Sequence, residues 1–419
     1  MLNIPIGGNG QSAMGTSQDD GATPVKNSDI CESYTTVQRH CSQPFGFNGL
    51  GKVVNTLSGK KYFTGMSILK KTINALRRRL MHQLTKNIGK SNSDLNIGPI
   101  VISDIKRILI CRPNKRLGNL LLITPLVQEV IATFPLVKID LFVKGNLAPV
   151  LFKNYENINR IIQLPEKSFK HLIKYLRGWT SIKKSHYDIV INVIEGSSSG
   201  RISTQLAHSK YKISGEINQD IRLRYKDYEH NAKFPVYAFR TYLTKMAFIE
   251  NDKPVPPLNL RLSPSEIAEG RIKLKNLVNN GKRTIGIFTY ATGDKCYSES
   301  WWENFYERLK AEYKDYNIIE VLPAHHISKI SFKAPTFSSK DVREVGAVIA
   351  NTELFISADG GIMHLSSSVH TPTVGLFSVT SPNSYQPYNN HSVGINTNNS
   401  NTDDWIKAIN KIISCQSSN

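Results

Sequence analysis

The 419 residues are 40% hydrophobic and carry 53 basic against 33 acidic side chains, a net charge of +20. A chain of this length can bury two ordinary cores, and with no run of 18 or more apolar residues its pattern gives no membrane-spanning helix. The five cysteines (Cys31, Cys41, Cys111, Cys296, Cys415) have neither metal spacing nor a disulfide framework. With a polar N-terminus that lacks a signal pattern, this points to a reducing, cytoplasmic setting. Residues 1–100 hold 12 basic and 5 acidic side chains, with no acid between Glu32 and Asp94. Such a balance suits an anionic membrane surface, an anionic substrate or nucleic acid. The last is set aside because no zinc-finger spacing, recognition helix or basic–aromatic RNA motif accompanies the charge.

Residues 1–65 are rich in Gly, Ser, Asn and Thr without a sustained period, and are expected to be a disordered tail. Residues 66–100 form a basic amphipathic region. Leu69, Ile73, Leu76, Leu80 and Leu84 recur at helical spacing, and Lys70, Lys71, Arg77, Arg78 and Arg79 lie mostly elsewhere on the wheel. Such a helix fits an anionic bilayer, and equally a helix packed on the protein with its basic face in water.

Residues 101–250 alternate strand and helix. Strands are expected at Ile105–Cys111, Val137–Val143, Ile158–Leu164 and Tyr187–Val193, with a helix from Leu120 to Phe134 and another over Ser168–Lys184. The proline-rich stretch at 251–258 reads as a stiff linker. The alternation then restarts over 259–419. Ser263-Pro264-Ser265-Glu266 is a capping box with proline at the first helical position, and Gly281 is expected to close that helix. Strands follow at Thr284–Thr289, Asn317–Leu322, Glu353–Ala358 and Thr373–Phe377. Helices are expected near 299–313, 341–350 and 362–369, and over Asp403–Ile413. Two α/β units would face a cleft, with ligands beyond the carboxyl ends of the strands.

Three loops after strands carry candidate chemistry. In Arg112–Asn119 (RPNKRLGN), Lys115 and Arg116 suit an anionic acceptor. In Tyr290–Lys295 (YATGDK), Thr292 and Lys295 suit phosphate oxygens. Asp359-Gly360-Gly361 joins a buried strand to a helix. The free N–H groups of that helix start suit a diphosphate, and the Asp359 carboxylate suits sugar or ribose hydroxyls. Each loop taken alone reads equally well as an ordinary turn, and His364 as a structural histidine.

Taken together, four blocks resemble glycosyltransferase family 9, the ADP-heptose:lipopolysaccharide heptosyltransferases. They are RILICRPNKRLGNLLLITPLVQEVIATFP, YDIVINVIEGSSSGRISTQLA, FTYATGDKCYSESWWENFYERL and DGGIMHLSSSVHTPTVGLFSVTSP, spread over about residues 105–400. The resemblance implies a GT-B type α/β fold of two Rossmann-like, doubly wound domains facing a cleft. The first domain would take the acceptor and the second the nucleotide-sugar. It implies inverting transfer of a heptose or similar sugar, with ADP-heptose as donor and a lipid-linked, anionic saccharide of the lipopolysaccharide core as acceptor. The enzyme would be cytoplasmic and peripheral on the inner membrane, with an anionic membrane surface and no nucleic acid among its partners. No cofactor is required, Mg²⁺ being at most stimulatory, and no metal ligands are assigned.

By position, Lys295 and Asn119 fall at catalytic places. Thr292, Lys340, Asp359, Gly360, Gly361, Ile362, Met363 and His364 fall on the donor side, and Lys115, Arg116 and Arg201 on the acceptor side. One departure stands out. The family pattern has Gly-Asp after the first strand, its aspartate the expected general base, where this chain has Gly118-Asn119. A neutral amide cannot accept a proton at pH 7, and a general base is worth roughly 10²–10⁴-fold in rate. Asn119 orients the acceptor while another group (Asp294 or Glu195) takes the proton, or the enzyme runs slowly or with an acceptor phosphate as base, or the chain is a catalytically silent nucleotide-sugar-binding homologue. A second departure is Pro323-Ala324-His325-His326, where the family has a glycine-rich turn.

Overall fold

The computed structural model describes Thr72, Leu76 and residues 79–92, 98–194, 196–215, 219–248 and 250–417. The expected tail at 1–65, the first part of the basic amphipathic segment, and Glu195 therefore lie outside the described residues.

The chain opens on helix α1 (79–85), followed by β1 (Arg107–Arg112), α2 (Leu117–Leu121), α3 (Thr124–Thr133) and β2 (Lys138–Lys144). It continues through β3 (Ile158–Leu164), α4 (Leu172–Lys184), β4 (His186–Asn192), α5 (Ser198–Leu206), β5 (His208–Ile213) and α6 (Phe234–Lys245). The five strands are parallel in the order β3-β2-β1-β4-β5. The continuous helix expected over 120–134 is two helices. Pro125 sits in the first turn of α3, where a proline suits a helix start and interrupts what precedes it. β5 was not anticipated, because HSKYKI alternates with lysines and reads as a polar segment.

The second half runs α7 (Pro264–Leu277), β6 (Arg283–Phe288), α8 (Glu299–Glu312), β7 (Tyr316–Val321) and β8 (Thr336–Phe337), then α9 (Val342–Ile349), β9 (Leu354–Ala358), α10 (Gly361–Ser368), β10 (Thr373–Phe377), β11 (Val393–Asn396) and α11 (Thr402–Ser417). Its sheet is parallel in the order β11-β10-β9-β6-β7-β8. The capping box at Ser263 and Glu266 forms as expected. The helix ends at Leu277 rather than at Gly281, whose positive φ of 72° instead turns the chain into β6.

Both sheets are buried on their two faces, which explains the near-continuous apolar strands. The halves are also tied together. Glu266, besides capping α7, takes two hydrogen bonds from Arg343 (2.6 and 2.8 Å), and the Arg343 guanidinium reaches the Val150 carbonyl at 3.2 Å. That pairing, assisted by backbone bonds at Ser263, holds the Glu266 carboxyl down at about 2. The proline stretch is anchored from both sides: Gln128 donates to the Pro257 carbonyl (2.8 Å) and the Tyr388 hydroxyl to the Pro256 carbonyl (2.7 Å).

Candidate active site

Parallel sheets of this kind reverse their strand order at one place, and ligands gather beyond the strand ends there. In the second sheet the reversal lies between β6 and β9. The loop after β6 carries Thr292 and Lys295, and the turn after β9 is Asp359-Gly360. Two segments 64 residues apart in sequence thus meet: Lys295 Nζ donates to Asp359 Oδ2, and the Thr380 hydroxyl after β10 donates to the same oxygen. Gly293 allows the loop its shape, since its φ of +67° disfavours a side chain. The Asp359 carboxylate is buried while Lys295 remains partly open to solvent. Thr292 is exposed on this loop.

Helix α10 begins at Gly361 with extended Gly360 at its cap, and no side chain caps its first turn. Its leading N–H groups therefore remain available at the positive end of the helix. The two glycines do separate jobs. A Cβ on Gly360 would meet only the Ala358 carbonyl at 3.7 Å, whereas one on Gly361 would press on Leu117 at 3.2 Å. Gly361 is thus required by helix packing rather than by backbone conformation. Ile362 is half-buried. Met363 is fully buried, with its sulfur against Gly375 of β10, so its side chain belongs to the core and only its backbone can line a donor pocket. Lys340 is exposed after β8, at the strand-end edge of the same sheet.

The first sheet reverses between β1 and β4, and the Arg112–Asn119 loop follows β1 there. Gly118 lies within α2 rather than before it, and α2 packs face to face on α10. A Cβ on Gly118 would come within 2.6 Å of the His364 ring. The Arg112–Asn119 loop and the Asp359 turn are therefore in direct contact. Asn119 accepts from the Arg112 guanidinium at 3.0 Å and donates to Asn114 at 3.2 Å. Its partner is thus a group that a carboxylate would also take. Lys115 is paired with Glu166 (2.6 Å), and Arg116 is exposed at the start of α2.

Arg201 makes a contact that the sequence reading did not foresee. It is buried on α5 and hydrogen-bonds Thr85 at 2.8 Å and His82 at 3.2 Å, both on α1. As placed, its guanidinium clamps α1 to α5. The sequence offered no sign of this, because the small-residue loop before it reads as an open basic turn.

Among the groups near these loops, Arg112, Tyr385, His230 and Glu320 were given no role in the sequence reading. Arg112 is buried with its Nε unpartnered, and burial pushes its guanidinium down to about 10. Tyr385 lies 5.7 Å under Lys295 and 6.2 Å from the His364 ring. Burial pushes His364 down to about 4, against the pull of Asp359 and with the help of His230 and Lys295, so its ring is neutral at pH 7. His230 is likewise pushed by burial to about 4, its Nε2 bonded to the Gln386 carbonyl at 2.8 Å. Next to the loop after β6, buried Glu320 accepts from Thr289 (2.5 Å) and Ser328 (2.7 Å), and burial raises its pKa. His325 and His326 do not converge on a common ligand: the His325 Nε2 is buried and unpartnered, and His326 lies 3.4 Å from the Ser338 hydroxyl. Among the described residues no group of three or more His, Cys, Asp or Glu side chains is placed to hold a metal ion.

The sequence of residues 175–408, more than half of the chain, matches the family described as glycosyltransferase family 9 (heptosyltransferase). The chain belongs to glycosyltransferase family 9. It is a heptosyltransferase-like glycosyltransferase of two parallel α/β sheets. The Arg112–Asn119 loop lies upstream of the matched residues, so its assignment rests on geometry and resemblance. Lipopolysaccharide heptosyltransferase 3 of Escherichia coli is 22% identical over 298 residues, covering 66% of this chain and 85% of that protein. Among solved structures, the family 9 glycosyl transferase of Veillonella parvula superposes with a TM-score of 0.57 at 16% identity, covering 74% of this chain and 97% of that one. The E. coli ADP-heptose lps heptosyltransferase II gives 0.54 at 13%, covering 75% and 100%. E. coli heptosyltransferase WaaC with ADP gives 0.52 at 15%, covering 73% and 99%. At these identities the structures support the shared fold.

Proposed function

We propose that this family 9 enzyme moves a heptose or similar sugar, with inversion, from a nucleoside-diphosphate sugar to a lipid-linked, anionic saccharide of the lipopolysaccharide-core type. ADP-heptose is the favoured donor, since relatives of this fold are described with ADP and with an ADP-heptose analogue. The reading rests above all on Lys295, Asp359 and the uncapped start of α10 meeting the Arg112–Asn119 loop at one cleft.

In this reading an acceptor hydroxyl attacks the anomeric carbon as its bond to the diphosphate breaks, and the electron pair leaves on the diphosphate. Lys295 and the N–H groups of Gly361, Ile362 and Met363 stabilise that growing charge. Thr292 reaches diphosphate or sugar oxygens, Lys340 serves the nucleoside, and Asp359, Gly360 and His364 shape the donor pocket. Lys115 and Arg116 draw in the anionic acceptor. Asn119, held by Arg112, orients the attacking hydroxyl, while Asp294 or an acceptor phosphate takes the proton. No cofactor is invoked, with Mg²⁺ at most stimulatory. The enzyme works in the cytoplasm, peripheral on the inner membrane. No helix among the described residues is long and apolar enough to cross a membrane. The silent-homologue reading rests on Asn119 alone.

Incubation with ADP-heptose and a lipopolysaccharide-core acceptor, followed by NMR, tests this. ADP release with a product linkage of opposite anomeric configuration is expected. Retained configuration would refute inversion, and no transfer from any nucleotide-heptose would refute the activity.

A further inference from the structure

Among the described residues, helix α4 packs on the protein by one side. Trp179 packs on Phe142 at 5.0 Å and on Tyr175 at 6.0 Å, Ile182 is fully buried, and a Cβ on Gly178 would meet Leu164 at 2.8 Å. Off that side, three large aliphatic residues within one turn and a quarter are exposed: Leu172 at 54%, Ile173 at 69% and Leu176 at 53%. Clustered exposed aliphatic side chains mark interaction surfaces more than isolated ones do. Along the helix and its flanks the charge has one sign. Between Glu166 and Asp188 the chain has Lys167, Lys170, Lys174, Arg177, Lys183 and Lys184 and no acidic residue.

Helix α1 repeats the arrangement. Its polar residues Thr85 and His82 hold it to Arg201 on α5, while Leu80 (56%) and Leu84 (67%) are exposed. A helix packed on the protein by its apolar stripe would show the reverse. Helix α4 also contacts α5, so α1 and α4 flank the same helix. The segment leading into α4 touches the acceptor loop directly, through Glu166 and Lys115 at 2.6 Å, with Gly145 fitted closely between them.

We infer that the outer side of α4, together with the leucines of α1, is a docking surface for an anionic lipid bilayer. An acid-free basic helix with exposed aliphatics matches the interfacial zone of such a bilayer, where apolar side chains enter and lysines meet headgroups. Charge complementarity favours this occupant over a second copy of the chain, because two such faces would repel each other. The surface rests on the proposed function in one respect: its contact with the acceptor loop places a lipid-anchored acceptor next to the cleft.

The test uses the full chain and vesicles of phosphatidylcholine with and without phosphatidylglycerol. Wild type binds the anionic vesicles in a salt-sensitive way. The triple variant Leu172→Ser, Ile173→Ser, Leu176→Ser binds them roughly tenfold or more weakly, as loss of three buried aliphatic groups requires. The variant Lys174→Glu, Arg177→Glu loses the preference for phosphatidylglycerol. Unaltered melting shows that these exposed substitutions leave the fold intact. Vesicle binding by the triple variant equal to that of wild type overturns the inference. So does a change from dimer to monomer with vesicle binding retained, which would make this face a protein interface. Transfer to a deacylated, water-soluble acceptor is expected to be unchanged in the variants. Its absence already in wild type would count against the proposed function and leave the vesicle result standing.

Discussion

His364 shows how one side chain serves packing and electrostatics together. Its ring fills the space left by Gly118 and stays neutral because burial outweighs the attraction of Asp359. His230 is held neutral in the same way, and burial shifts His370 in the same direction. The consequence is a pH dependence of stability with a defined sign. As pH falls below about 6.5 the unfolded chain takes up protons that folded His364 and His230 refuse until about pH 4, so stability is lost across that window. Each histidine contributes a slope of about 1.4 kcal/mol per pH unit where its two states differ by a full proton. Melting temperatures recorded between pH 7 and pH 5, above the range where most carboxylates titrate, are expected to fall steadily. The fall should be shallower in His230→Gln. A melting temperature constant over that interval would contradict the assignment.

At the scale of elements, the first sheet is braced by a buried ion pair between helices α3 and α6. Arg240 donates two hydrogen bonds to Glu129, at 2.7 and 2.9 Å, and both side chains are almost fully enclosed. Asn251 adds a third bond to Glu129, and Arg240 also holds the Lys253 carbonyl. Removing one partner of such a pair strands a charge in a dry environment. Arg240→Ala is therefore expected to lower unfolding stability by about 3–5 kcal/mol in denaturant titration. A loss below about 1 kcal/mol would mean that water or a neighbour takes over the Glu129 carboxylate.

Across the whole molecule, the strands were legible wherever both faces are buried, because β1, β4, β6, β9 and β10 are apolar runs between turn residues. Of the edge strands, β3 was legible from its aliphatic residues, whereas β5, β8 and β11 were not, being short or mixed in polarity. The candidate site divides in the same way. Lys295, Asp359 and Gly361 announce themselves through local turn chemistry. Arg112, Thr380, Tyr385 and His230 matter only because the two strand-order reversals and the α2–α10 contact bring distant segments together. The contact of Arg201 with α1 was not legible for the converse reason: a basic residue after a small-residue loop carries no mark of the helix that will cover it. The central claim is that Lys295 and Asp359 form the donor half of the cleft, while Asn119 belongs to the acceptor half. Calorimetric titration of ADP-heptose into wild type, Lys295→Ala, Asp359→Ala and Asn119→Ala tests it most directly. Donor affinity is predicted to drop at least about tenfold in the first two variants, as loss of a charge-assisted contact implies, and to stay near wild type in Asn119→Ala. Wild-type affinity in both Lys295→Ala and Asp359→Ala would contradict the account.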